Sequence, residues 1–187
     1  MNRGSLIREY MEQVRATLLE LPVDKIERMV DILQKARVVG KRVYIFGNGG
    51  SAATASHFAS DLNKGAICPG QPRFKAIALT DNVPLVSAWA NDSAYEDIFV
   101  QQLENHVEPG DVVIGISGSG KSMNVINALK LANSKKATTV ALTGFDGGNI
   151  KDIAQFCLIV PNNSMEQVED IHLLLEHVIT TCLRSIG

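Results

Sequence analysis

Val43-Tyr44-Ile45-Phe46-Gly47-Asn48-Gly49-Gly50-Ser51-Ala52-Ala53-Thr54-Ala55-Ser56-His57-Phe58-Ala59-Ser60-Asp61 holds a strand, a tight loop and a helix in nineteen residues. Val43 to Phe46 is a short apolar run rich in β-formers. Gly47 to Gly50 supplies positions free to take φ > 0, and Ser51 or a near neighbour caps an Ala-rich helix. Unpaired N–H groups and the positive end of the helix dipole favour a phosphate or carboxylate at such a turn, and bare glycines let it approach the main chain. One turn further in, His57 and Asp61 are four residues apart. That spacing puts an imidazole and a carboxylate on one helix face, where they can share a metal or a substrate proton.

The same alternation continues outward. Ala76–Leu79, Val112–Ile116, Thr138–Leu142 and Phe156–Val160 read as further strands, and the unbroken apolar run at 112–116 suits a strand buried on both faces. Helices are expected over Tyr95–His106, from Ser122 to about Asn133, and from Met165 to about Ser185, the last opened by a capping box of Ser164 and Gln167. Before the first strand, Leu6, Ile7, Tyr10, Met11, Val14 and Leu18 form one helical stripe, and Ile26, Met29, Val30 and Leu33 mark a second helix stopped by Gly40. This hairpin either covers a sheet face or makes a subunit contact. The pattern predicts an α/β three-layer sandwich, with a five-stranded parallel flavodoxin-like sheet in the order 2-1-3-4-5. It predicts one domain over residues 1–187, with the hairpin at 1–40 and the α/β core at 41–187.

Composition excludes several classes of function. The chain has 187 residues, 45% of them hydrophobic, enough for one well-buried core. Its 18 basic and 20 acidic residues are mixed along the sequence for a net charge of −2, which argues against binding nucleic acid or a membrane surface by bulk charge. Cys68, Cys157 and Cys182 lack C-x-x-C spacing, so neither a disulfide framework nor a structural zinc site is indicated. With no apolar leader-like segment and no run long enough to span a bilayer, a soluble cytoplasmic protein is expected.

In a 2-1-3-4-5 sheet the winding reverses between strands one and three, and ligands bind beyond their carboxyl ends. Gly47 to Ser51 and Ser117 to Ser122 then face each other across one crevice. Ser117, Ser119 and Ser122 can wrap hydroxyl donors round a single anion, helped by the N-terminus of the next helix, and a phosphate monoester is the natural guest. Gly115 to Ser122 also satisfies the nucleotide-binding pattern G-x-x-x-x-G-K-S. A P-loop enzyme needs an acidic residue at the end of another strand for Mg²⁺, and the later strands end Leu142-Thr143 and Val160-Pro161. That reading also leaves the first glycine loop with no task, so P-loop nucleotide binding is the remote alternative.

Taken together, Gly47-Asn48-Gly49-Gly50-Ser51, His57-Phe58-Ala59 with an acid at 61, Ala90-Asn91-Asp92, Ile116-Ser117-x-Ser119-Gly120-x-Ser122, Leu142-Thr143-Gly144-x-Asp146-Gly147-Gly148 and Ile171-His172 with His177 resemble the sugar isomerase (SIS) domain family. They are most similar to its sedoheptulose 7-phosphate isomerase branch. The likeness covers nearly the whole chain. It implies a homotetramer with active sites between subunits, acting at the head of a heptose pathway for surface polysaccharide. The implied reaction turns a ketose 7-phosphate into an aldose 7-phosphate through an enediol. It implies that Asn48, Gly49, Gly50, Ser51, Asp61, Asn91, Asp92 and Glu169 line the sugar site, and that Ser117, Gly118, Ser119 and Ser122 hold the phosphate. Asp61 and His177 become the acid–base pair, and His57, Asp61, Glu169 and His177 the ligands of one Zn²⁺. Spacing alone pairs Glu169 with His172 as readily as with His177; the resemblance selects His177. Three residues depart from the family: Asp61 is one methylene shorter than its glutamate, Glu169 stands where it has glutamine, and Lys121 replaces a small polar residue. A second class of function is a non-catalytic SIS protein that binds a phosphosugar or a replication initiator.

Overall fold

The five apolar runs become the strands of one sheet in a computed structural model that describes residues 2–186. β1 (Arg42–Gly47), β2 (Lys75–Ala78), β3 (Val112–Ser117), β4 (Thr138–Thr143) and β5 (Phe156–Ile159) pair in parallel in the order β2-β1-β3-β4-β5. This is the expected fold class. The register sets Gly47 opposite Ile116 and Ser117 opposite Thr143, so β1, β3 and β4 end level with one another.

Helices cover both faces, and the sheet's two-residue period divides the core between them. Val43, Ile45, Ile114, Ile116, Val140 and Leu142 point to one side, beneath α2 (Val23–Val38), α3 (Gly50–Ser60) and α7 (Met165–Ser185). Tyr44, Phe46, Val113 and Ala141 point to the other, beneath α5 (Val100–His106) and α6 (Met123–Ser134). The two hairpin helices take different roles. α2 buries Met29, Val30, Leu33 and Ala36, whereas α1 (Arg3–Leu19) buries only Thr17 among the described residues and leaves Leu6, Ile7, Tyr10 and Met11 exposed. α2 also carries the fully buried Arg37, whose guanidinium donates to the carbonyls of Pro72, Leu183 and Ala66. One buried cation thereby ties α2 to the end of α7 and to the loop before β2.

Three local expectations change in the folded chain. The 95–106 helix is a 3-10 turn at Tyr95–Asp97 followed by α5, and Ile98 and Phe99 between them are both buried. Ser51 lies inside the first turn of α3 rather than at its cap, where Gly49 stands at φ +56. The capping box before α7 does not form: Gln167 hydrogen-bonds Asn162 and Gln13 instead. Its amide is drawn into a contact with α1 that the local pattern does not contain.

α7 comes down directly onto the strand tips. A side chain at Gly118 would overlap the thioether of Met165, one at Gly144 the γ-methyls of Val168, and one at Gly50 the carboxylate of Glu169. Two turns along, the buried imidazole of His172 lies 3.2 Å from the carbonyl of Thr143 at the end of β4. The two loop glycines differ in what a substitution would meet. The half-exposed Met165 side chain can swing away, but Val168 is buried and stiff at χ1. Gly144→Ala is therefore expected to lower stability by about 1–3 kcal/mol in urea unfolding. Gly118→Ala stays within about 0.5 kcal/mol of the parent. Equal effects at the two positions would contradict this account of the α7 seat.

Candidate functional site

Both unusual loops open into one cavity of about 230 Å³, whose polar lining is Asn48, Ser51, Ser117, Ser119, Ser122 and Glu169, with Gly118 beside them. Two helix N-termini converge there, of α3 after Gly49 and of α6 after Ser122, and neither is capped by its own N-cap side chain. Orphan N–H groups and two positive dipole ends make an anion the favoured occupant. The Ser117 and Ser122 hydroxyls stand 3.0 Å apart, and the Ser119 hydroxyl accepts from the backbone N–H of Lys121. The Lys121 side chain is exposed and lines a separate depression with Phe145, Asp146 and Asn163.

Asn48 is held by partners that sequence reasoning missed. Its amide exchanges two hydrogen bonds with the buried Asn124, at 3.0 and 2.8 Å, and its Oδ1 also accepts from the Tyr95 hydroxyl. Asn124 sits two residues after the last loop serine, the one local sign of its role. Gly49 and Gly50 are exposed at the rim. Asn91 and Asp92, expected among the sugar contacts, are not at this cavity. They end α4 (Val83–Asp92), an exposed helix, where the Asn91 amide donates to Asp92.

A second polar group lies further along α3 and α7. His57, Asp61, His177 and Glu176 each offer a ligand atom, and these atoms lie within 4.8 Å of one another. The i,i+4 pairing on α3 holds as expected, and Asp61 opens a π-helical turn, Asp61–Gly65, that extends α3. The fourth member is Glu176, not the expected Glu169. Glu169 precedes His177 by eight residues, roughly 12 Å of helix, which carries it to the loop end beside Gly50. Glu176 faces inward next to the outward His177. Its carboxylate lies 3.4 Å from His57 Nδ1 and 3.3 Å from His177 Nε2, while the Asp61 oxygens are 3.9 Å from each imidazole.

The burial of these groups differs sharply. Glu176 has no exposed side-chain surface and neither oxygen has a hydrogen-bond partner, whereas His57 and His177 are about half exposed. Burial, and secondarily the charge of Asp61, pushes the Glu176 carboxyl up to about 8. No group of comparable make-up occurs elsewhere among the described residues.

The SIS domain family matches residues 8–144. The chain is 40% identical over 167 residues to the phosphoheptose isomerase of Aquifex aeolicus, covering 89% of this chain and 87% of that one. It is 36% identical over 179 residues to that of Aliarcobacter butzleri, covering 95% and 94%. Among solved structures, the phosphoheptose isomerase of Neisseria gonorrhoeae superposes with a TM-score of 0.87 at 29% identity, covering 97% of this chain and 96% of that one. That of Francisella tularensis superposes with a TM-score of 0.90 at 26% identity, covering 99% and 100%.

His172 gives this part of the molecule a pH dependence. Its Nε2–H donates to the Thr143 carbonyl and its Nδ1 is buried without a partner, so burial lowers its pKa to about 4. The unfolded chain takes up that proton near pH 6.5 and the folded chain does not. Stability is intact above about 6.5 and falls by roughly 3 kcal/mol as the pH drops to 4. Urea unfolding at pH 7 and pH 4 is expected to show this loss in the parent and to lack that share of it in His172→Leu.

Proposed function

Because the chain belongs to the SIS domain family, we propose that it converts sedoheptulose 7-phosphate to the aldose heptose 7-phosphate through an enediol. It is an aldose–ketose isomerase of phosphorylated sugars, and its relatives carry the name phosphoheptose isomerase. The single observation that carries the substrate reading is the spacing, along α3, between the cavity at its N-terminus and the polar group one helix length away. From Gly50 to His57 is seven residues, or roughly 10 Å along α3. An extended sugar with six carbon–carbon bonds and a terminal phosphate ester, advancing about 1.2 Å per bond, spans roughly the same distance.

In this reading the serine hydroxyls and the two helix N-termini bind the phosphate. Glu169 accepts hydrogen bonds from sugar hydroxyls and repels the phosphate toward the serines. Carbons one and two then lie beside Asp61 and His177. One member of the pair takes the proton from C1 while the other protonates the oxygen on C2, giving the enediol. A proton is then delivered to C2 while the hydroxyl on C1 gives up its own proton to the other member of the pair, leaving the aldehyde at C1. The shorter arm of Asp61 requires the substrate to sit closer to α3 than a glutamate would.

The donors also fit a divalent metal. Two imidazoles and two carboxyl groups converge there, and the buried carboxyl of Glu176 has no hydrogen-bond partner. His57, Asp61, Glu176 and His177 would hold the ion. Bound there, it would polarise the substrate's two reacting oxygens.

Apolar surface is left uncovered next to the sugar end in a single chain. Beside the half-exposed His177, α7 presents Leu173, Leu174 and Val178 to solvent, and α1 presents Leu6, Ile7 and Met11. These surfaces support a homo-oligomer, a tetramer in our reading, that encloses the sugar end. Among the described residues no helix is long and apolar enough to cross a membrane.

Incubated with sedoheptulose 7-phosphate, with and without Zn²⁺, the purified protein is expected to form the aldose 7-phosphate. His177→Ala should lower kcat by roughly 10²–10⁴. Ser119→Ala should chiefly raise KM. Tight phosphosugar binding without aldose under either condition would make the protein a non-catalytic sensor.

A further inference from the structure

We infer that Glu176 is itself a metal ligand, contributed from the interior of the molecule, and that the site it completes takes a divalent ion with five or six ligands, such as Mn²⁺, rather than a tetrahedral zinc. The inference rests on reading the group of His57, Asp61, Glu176 and His177 as the sugar end of the isomerase site.

The first support is the state of the Glu176 side chain. It is fully buried, and neither oxygen meets a hydrogen-bond donor in acceptable geometry. A buried carboxylate is normally satisfied by arginine, lysine or several N–H groups. Here its polar neighbours are two imidazole nitrogens, at 3.4 and 3.3 Å, and the second carboxylate, Asp61. A hydrogen-bonded ion pair with one histidine would keep two carboxylates close together with no cation between them. A cation among the four groups answers this: it takes an oxygen from each acid and a nitrogen from each imidazole, and a 2+ charge is balanced by the two carboxylates.

The second support is the count of donors. Four protein ligands fill a tetrahedral zinc completely, as in structural sites, whereas catalytic sites keep a position open. With Glu176 buried and His57, Asp61 and His177 reaching the surface, an ion of higher coordination number would keep free positions for further ligands. Neighbouring oxygens on C1 and C2 of the sugar would fit there. Two carboxylates with two imidazoles suit Mn²⁺ or Fe²⁺ by donor type. Glu169, held at the far loop end over Gly50, is left to the sugar.

Co²⁺ provides the readout, because its visible absorption is weak when five- or six-coordinate and intense when tetrahedral. Protein stripped by chelation and reloaded with Co²⁺ is expected to bind one ion per chain with weak absorption, and Mn²⁺ is expected to compete for it. Glu176→Gln, which removes the charge at constant shape, should weaken Co²⁺ and Mn²⁺ binding by at least about tenfold. Glu169→Gln should leave binding of the free ions within about twofold. Glu176→Asp, with the arm shortened, should weaken binding as well and serves where the amide variant fails to fold.

Unchanged affinity in the Glu176 variants, an intense tetrahedral spectrum in the parent, loss of the ion in Glu169→Gln alone, or no binding at all would each overturn the inference. The isomerase reading fails separately. A protein that shows the expected metal behaviour but forms no aldose keeps the inference and loses the function. One that isomerises while Glu176→Gln binds metal normally does the reverse.

Discussion

The first two turns of α7 rest on loops that carry no side chains where the helix touches them. Gly50, Gly118 and Gly144 come from three different strand–helix turns, and each lies where a Cβ would run into Glu169, Met165 or Val168. The approach brings main chain and helix together at the level where β1, β3 and β4 end. His172 then fastens the helix to the β4 tip through Thr143. A methyl group added at Gly144, where Val168 cannot give way, would press the helix away from the sheet and shift the α7 side chains below it.

From that seat α7 packs against α3, and both helices begin at the loop end of the sheet. The row of polar groups they carry is electrically asymmetric. Its loop end has hydroxyls and two helix N-termini, which attract an anion. Its far end has two carboxylates and two imidazoles, which attract a cation or exchange protons. An elongated molecule with a phosphate at one end and a carbonyl at the other meets complementary chemistry at both. The two ends depend on the same pair of helices, so the separation between them is fixed by helix rise rather than by flexible loops.

Burial contributes as much as position. His57 and His177 reach solvent, Asp61 is partly covered, and Glu176 is sealed. The same four residue types on an open surface would be hydrated and only weakly coupled. Here the interior carboxylate has no water to turn to, so its surroundings decide its charge and its partner. The outer face of this group lies beside exposed leucines of α7, where further covering would change the solvation of the histidines but not of Glu176.

The strands, the order of elements and the two anion-friendly loops were legible in the sequence, because they follow from local rules. A continuous apolar run is a buried strand, glycines mark turns, and serines at 117, 119 and 122 offer hydroxyls to one point. The i,i+4 pair His57 and Asp61 was legible for the same reason, since helix periodicity alone brings them together. What the sequence left undecided were the contacts between distant elements. Gln167 was expected to cap its own helix and instead joins Gln13 and Asn162. Asn48 found Asn124 and Tyr95, far along the chain. On α7, Glu169 and Glu176 carry the same carboxylate, and the amphipathic pattern did not say which would meet the histidines of the site. That choice belongs to tertiary structure: the glycine seat fixes both the height and the rotation of the helix, placing one acid over the loops and turning the other inward toward His57.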